Sequence, residues 1–292
     1  MSRRASIAAS TSLALVAFAA NSLLCRMALR ETAIDAATFS IVRFTSGALM
    51  LLVITMRIGR GELRASRAEE TSRLAGSWAA AAILAVYALP FAFAYTRLST
   101  GTGALILFGC VQVTMLLAAL GSGERPGAIQ WAGILVALGG LVNLVFPGLT
   151  APSPVGAALM ATAGVCWGLY SLRGRGTPNP LSHTTGNFVR AVPLVVAGSL
   201  PMLSRAQADA RGVTLAVVSG AVTSGLGYVV WFAALRGLSA VRAAVVQLAV
   251  PLLAAAAGVV FLSEAVSLRL ALSTVLVLGG IAMAIVGGRR ES

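Results

Sequence analysis

The sequence contains no lysine and one histidine, His183. Only 11% of its 292 residues are charged, against about 25% in an ordinary soluble domain. That is too little polar surface to cover a globule of this size, so a water-soluble fold is excluded. Without lysine, a Gly-rich phosphate loop of the usual kind cannot be built. With one histidine, His-rich metal and haem sites are out of reach. A Ser-His-Asp arrangement would have to use His183, which sits at the opposite membrane face from Asp35 and Asp209. The three cysteines, Cys25, Cys110 and Cys166, fall inside apolar stretches and form no CxxC or zinc spacing. No enzyme chemistry, cofactor or metal is expected.

The carboxylates are also few, and none lies deep in an apolar segment. Glu31, Asp35, Glu62, Glu69, Glu70, Glu124, Asp209, Glu264 and Glu291 all fall at loops, segment ends or the terminus. An Asp, Glu or His relay of the sort that proton-coupled carriers use is therefore not visible. The formal charge is +13, but its arginines are scattered singly or in short clusters between apolar runs. Nucleic acid is not an expected partner; the bilayer is.

Apolar residues make up 58% of the chain. Stretches of about 20 mostly apolar residues, enough to cross a bilayer, recur at 7–27, 36–57, 75–96, 99–120, 128–147, 154–172, 181–203, 212–235, 240–262 and 270–287. Gly and Pro clusters punctuate them. With the N-terminus inside, fourteen arginines fall on the cytoplasmic side and six on the other, leaving Arg43 and Arg190 within spans. That asymmetry places both termini in the cytoplasm. Ser2-Arg3-Arg4, an apolar run and Ala17-Phe18-Ala19 also fit a cleavable signal peptide, but its removal would leave an odd set of nine spans.

The chain also matches itself. At an offset of 140, Leu98-Ser99, Glu124 and Leu138-Gly139-Gly140 align with Leu238-Ser239, Glu264 and Leu278-Gly279-Gly280. At an offset of 147, Arg26 and Arg43 align with Arg173 and Arg190. Charged matches are hard to obtain by chance in so uncharged a sequence. Residues 1–150 and 151–292 are thus expected to form two five-helix units. A five-crossing unit ends on the side opposite its start, so the second must be inverted. Inverted repeats around a midplane site are a common plan of secondary transporters. The expected fold is an all-α integral membrane protein, with two inverted five-helix repeats around a central cavity.

Polar and aromatic residues within the spans mark a candidate solute site. These are Asn21, Gln112 and Gln247, with Tyr87, Trp167, Tyr170, Tyr228 and Trp231. A buried amide needs partners, and any one of these residues could simply bond a neighbouring helix. Together they suit a cavity for a small amphipathic solute. Arg43 and Arg190 fit clamps on the carbonyls of neighbouring helices, or solute contacts. Pro90 and Pro251 each free a backbone carbonyl and can kink or hinge a helix.

These features resemble the drug/metabolite transporter superfamily, EamA type: two five-helix halves, Arg43-Phe44 in the second span, and a Glu followed by a Gly-Gly helix in each half. Tyr87, Cys166–Tyr170 and Gly227-Tyr228-x-x-Trp231 are most similar to YddG-type amino-acid exporters of bacterial inner membranes. The resemblance implies a basket of helices around a central cavity that moves amino acids or related metabolites outward; the sequence leaves the oligomeric state open, a monomer included. It places Tyr87 and Trp167 in the cavity wall. Aromatic-amino-acid exporters of this type carry Trp-Pro in the fourth span, where this chain has Cys110-Val111; Pro251 keeps the matching proline of the ninth. Cys110 in place of an indole implies a larger cavity and no strict preference for aromatic solutes. A broad exporter of lipophilic compounds would share the same architecture.

Overall fold

The structure is a computed structural model that describes residues 3–62, 74–121, 127–146, 151–174, 177–235, 238 and 246–287. Glu124, Ser239 and the loop arginines Arg64, Arg67, Arg73, Arg125, Arg175, Arg236, Arg242, Arg289 and Arg290 lie outside those residues.

The described residues form helices and no strand. In chain order these are α1 (Arg3–Glu31), α2 (Ala36–Glu62), α3 (Trp78–Tyr95), α4 (Thr100–Gly121), α5 (Ala128–Val145), α6 (Pro154–Gly174) and α7 (Pro180–Ser199). A 3₁₀ turn (Leu200–Arg205) leads to α8 (Ala210–Leu235), followed by α9 (Ala249–Leu262) and α10 (Leu268–Gly287). Six of them, α1, α2, α3, α6, α7 with its 3₁₀ extension, and α8, are long and apolar enough to cross a membrane. The apolar parts of α4, α5, α9 and α10 are shorter. Large apolar side chains cover the outside of the bundle, with Leu268, Val260 and Val275 each more than 70% exposed. Water would penalise that surface; acyl chains do not.

Local chemistry sets several helix starts. Asp35 caps α2 by accepting from the Ala37 and Thr38 N–H groups at 2.9 and 3.0 Å. Ser77 caps α3, Asn179 caps α7 with Pro180 in its first turn, and Asp209 caps α8. Each side-chain oxygen satisfies a backbone donor that the helix itself leaves open. Pro90 lies inside α3. Pro251 lies in the first turn of α9, where a missing N–H costs no helical bond.

The main packing pairs are α5 with α10, α3 with α6 and α7, α4 with α6 and α9, α2 with α7 and α8, and α1 with α8 and α9. Small residues allow the closest of these. A Cβ on Gly133 would lie 2.5 Å from the Gly280 carbonyl oxygen, and one on Gly280 would lie 2.6 Å from that of Gly133. Likewise Gly140 packs on Leu276 and Val277, while Gly287 packs on Ile129 and Gln130. Every one of these contacts maps onto another by a shift of 147 residues, as 133 to 280 and 140 to 287. The shift of 140 in the Leu-Gly-Gly match recurs too: Gly140 meets the Val277 nitrogen and Gly280 the Ala137 nitrogen, while Gly139 and Gly279 have open space around them.

Candidate solute-binding cavity

The centre of the bundle holds a cavity lined by Phe18, Asn21 and Ser22 of α1, Tyr87 and Phe91 of α3, Leu107 and Phe108 of α4, Trp167 of α6 and Tyr228 of α8. Its volume is about 10 Å³, room for about one water. A metabolite requires the wall to move.

Aromatic rings make most of that wall. Trp167 and Tyr228 have centroids 4.5 Å apart, and Tyr87 lies 5.5 Å from Trp167. Phe18 meets Trp167, Tyr228 and Trp231 edge-on at 5.7, 6.0 and 5.7 Å. Edge-to-face packing of this kind is favourable beyond area burial. The buried indole N–H of Trp167 has no hydrogen-bond partner.

The polar side of the wall depends on a break in α8. Residues Ser219–Leu226 form a π-helical segment, a geometry rare in itself and frequent at functional sites. It brings three hydroxyls to Asn21: Ser219 Oγ donates to Asn21 Oδ1 at 2.8 Å, with the Thr223 and Ser224 hydroxyls at 3.4 Å. The same segment crosses α2 at Gly220, where a Cβ would overlap the Arg43 carbonyl oxygen. Only glycine permits this approach, and it sets Arg43 against α8. Arg43 is 1% exposed. Its Nε donates to Ser224 Oγ at 3.0 Å, and its Nη2 to the hydroxyls of Tyr87 and Tyr228 at 3.2 and 3.4 Å. Its Cζ lies 4.8 Å over the Phe91 ring.

The residues singled out in the sequence separate into two groups. Asn21, Tyr87, Trp167 and Tyr228 line the cavity, with Arg43 one hydroxyl behind them. The rest lie away from it. Tyr170 stacks behind Trp167 and accepts from Asn187 Nδ2 at 3.3 Å. Trp231 touches Phe18 from outside. Cys110 packs at the α4–α6 crossing against Gly164. Gln112 and Gln247 are buried on α4 and ahead of α9. Arg190 donates to the carbonyls of Ala75 and Gly186 at 3.1 and 2.9 Å.

Sequence reasoning missed Phe18, Ser22, Phe91, Leu107 and Phe108. Four of them are apolar residues in apolar spans and carry no signal of their own. The hydroxyls of Ser219, Thr223 and Ser224 did carry one, a polar cluster within an apolar segment.

An ion-pair cluster lies one turn beyond the cavity along α1. Arg26, near the end of α1, pairs with Glu264 after α9 at 3.3 Å, with side chains 17% and 8% exposed. Arg26 also donates to the Tyr95 carbonyl at 2.7 Å, and Glu264 accepts from the Thr100 N–H at 2.8 Å. This cluster ties α1, α3, α4 and α9 together. At the same end, Asp35 accepts from the Gln207 N–H at 2.8 Å and Asp209 from the Ala33 N–H at 3.2 Å. Burial alone would raise the Asp35 pKa; the hydrogen bonds from Thr38, Gln207 and Ala37 outweigh it and hold the carboxyl below its usual range. Among the described residues, no cluster of His, Cys, Asp and Glu could hold a metal ion.

Comparison with known proteins fits a transport path. The EamA-like transporter family matches residues 154–286. The chain is 49% identical over 273 residues to the uncharacterized protein PA1977 of Pseudomonas aeruginosa, covering 94% of this chain and 92% of that protein. A protein crystal structure shares the fold at a TM-score of 0.63 and 21% identity, covering 96% of this chain and 98% of the other. The chain carries an EamA-like transporter domain and belongs to the drug/metabolite transporter superfamily: it is a multi-pass membrane transporter rather than an enzyme.

Proposed function

We propose that this transporter exports small metabolites, amino acids first among them, across the bacterial inner membrane by alternating access. Both termini face the cytoplasm, and the mouth tied by Arg26 and Glu264 is the outer one. The observation that carries the reading is the narrow central cavity itself. Helices from both halves of the chain line it, it holds about one water, and one turn beyond it along α1 an ion pair ties α1 to the end of α9. A solute can cross such a path only if the walls part, which is the behaviour of a carrier and not of a pore.

Two features support an inverted pair of five-helix units, residues 1–150 and 151–292. Exchanging α1–α5 with α6–α10 turns the α3–α6 contact into α8–α1, α4–α6 into α9–α1, and α2–α8 into α7–α3, all of which occur. The α5–α10 contact repeats with a shift of 147 residues. Rocking one unit on the other would expose the same cavity to each face in turn.

Aromatic faces beside an amide and several hydroxyls suit a solute with one apolar and one polar end, as amino acids have. The apolar share of the lining favours, as a second reading, export of a broader range of lipophilic compounds. Counterflow in proteoliposomes separates them. Amino acids are expected to give saturable counterflow that Tyr87→Ala and Trp167→Ala both weaken in folded protein. Counterflow of lipophilic compounds alone would overturn the amino-acid assignment, and flux without saturation would overturn the carrier.

A further inference from the structure

Among the described residues, Arg43 is a buried cation without a counter-charge. The two ion pairs among the described residues are Arg26–Glu264 and Arg211–Glu31, both at the far end of α1. Arg43 is instead held by hydroxyls and ring faces. A desolvated charge left unpaired is costly, and aromatic faces offset only part of that cost. Such a site is short of one negative charge.

The hydrogen-bond directions say where that charge would sit. Arg43 Nη2 donates to both phenol oxygens, Tyr87 and Tyr228. Each hydroxyl thereby accepts a bond from Arg43, and the two also hydrogen-bond to each other, so the pair retains one proton to donate. Both rings line the cavity. Trp167, which lines it too, brings an indole N–H with no partner. The Asn21 oxygen is already taken by the Ser219 hydroxyl, so that amide offers its N–H groups. Ser22, which also lines the cavity, has an unpartnered hydroxyl that can donate too; every polar group facing the cavity can thus donate, and a guanidinium polarises the phenol pair. A hydroxyl that accepts from a cation is the stronger donor for it.

We infer that the cavity, taken as the carrier site proposed above, recognises a carboxylate: the free proton of the Tyr87–Tyr228 pair and the Trp167 N–H bind its oxygens, and Arg43 supplies the compensating charge from behind. An ammonium group gains nothing from this end of the site. The solute needs a free carboxylate; an amine of the same shape is refused. Arg43 is a specificity-determining residue that acts through Tyr87 and Tyr228.

The test uses four probes of one side-chain shape: L-leucine, 4-methylpentanoate, leucinamide and 3-methylbutylamine. Each competes against labelled leucine in counterflow, and each is measured for thermal stabilisation of the purified full chain. Leucine and 4-methylpentanoate are expected to act within about tenfold of each other, with the amide and the amine at least tenfold weaker. Arg43→Gln is expected to abolish that preference and Arg43→Lys to keep part of it. Equal action of the amine or the amide on wild-type protein would overturn the inference, whether or not the variants fold. A carboxylate preference in thermal stabilisation without counterflow of any probe would leave the inference standing and overturn the carrier reading instead.

Discussion

Glu264→Gln is the sharpest perturbation of the closed mouth. Glutamine keeps the shape and an acceptor for the Thr100 N–H, and removes the charge facing Arg26. Two bonds lose charge assistance, at 3.3 and 2.8 Å. Hydrogen bonds to charged groups contribute about 1.5–3 kcal/mol and neutral ones about 0.5–1.5. The difference over two bonds, reduced for the 17% exposure of the Arg26 side chain, leaves about 2 kcal/mol. If the cluster exists only while that mouth is shut, opening becomes roughly 30-fold more frequent. The assay is the rate at which a membrane-impermeant maleimide modifies Ser22→Cys in a background without the native cysteines. Labelling from the Glu264 face is expected to rise about 30-fold, and labelling from the other face to fall. Equal labelling rates with and without the substitution would refute the role of this cluster as a gate.

Further expectations follow from the same geometry. Trp167→Phe removes the buried donor that has no partner and keeps an aromatic ring against Tyr87 and Tyr228; affinity for a carboxylate solute should fall by roughly 13–160-fold, the worth of one hydrogen bond to a charged group of about 1.5–3 kcal/mol, and unchanged affinity in folded protein would contradict it. Gly280→Val places a side chain into the backbone of α5, where even a Cβ would lie 2.5 Å from the Ala137 nitrogen, and should cost about 1–3 kcal/mol in detergent melts. The pH dependence is set by Asp35. Its folded pKa is lowered, so its contribution is present above the unfolded value of about 3.9 and is lost as pH falls through the folded value. Melting temperature should therefore drop below about pH 4 more steeply in wild type than in Asp35→Asn.

The sequence makes the helical membrane class and most span positions legible, because those depend on long-range composition. The 36–57 and 154–172 segments lie within α2 and α6, and 270–287 within α10. The π segment in α8 was not legible. Its backbone is set by the crossing with α2 at Gly220, a tertiary contact with no local periodicity. Within the site, Tyr87, Trp167 and Tyr228 stand out as aromatic residues with a polar atom. Phe18 and Phe91 do not, because a cavity wall and a packed core use the same residue. Arg43 was visible as a charge in a span. That it belongs behind the cavity depends on Ser224 and two phenols more than forty residues away in sequence.

The most direct measurement asks whether the central cavity is the solute path. Ser22→Cys protein without its native cysteines would be reconstituted, modified with a bulky maleimide, and assayed for amino-acid counterflow. The expected result is saturable counterflow before modification, protection of the cysteine by the transported solute, and loss of counterflow after modification. Undiminished counterflow by fully modified protein would place the path elsewhere and contradict the account.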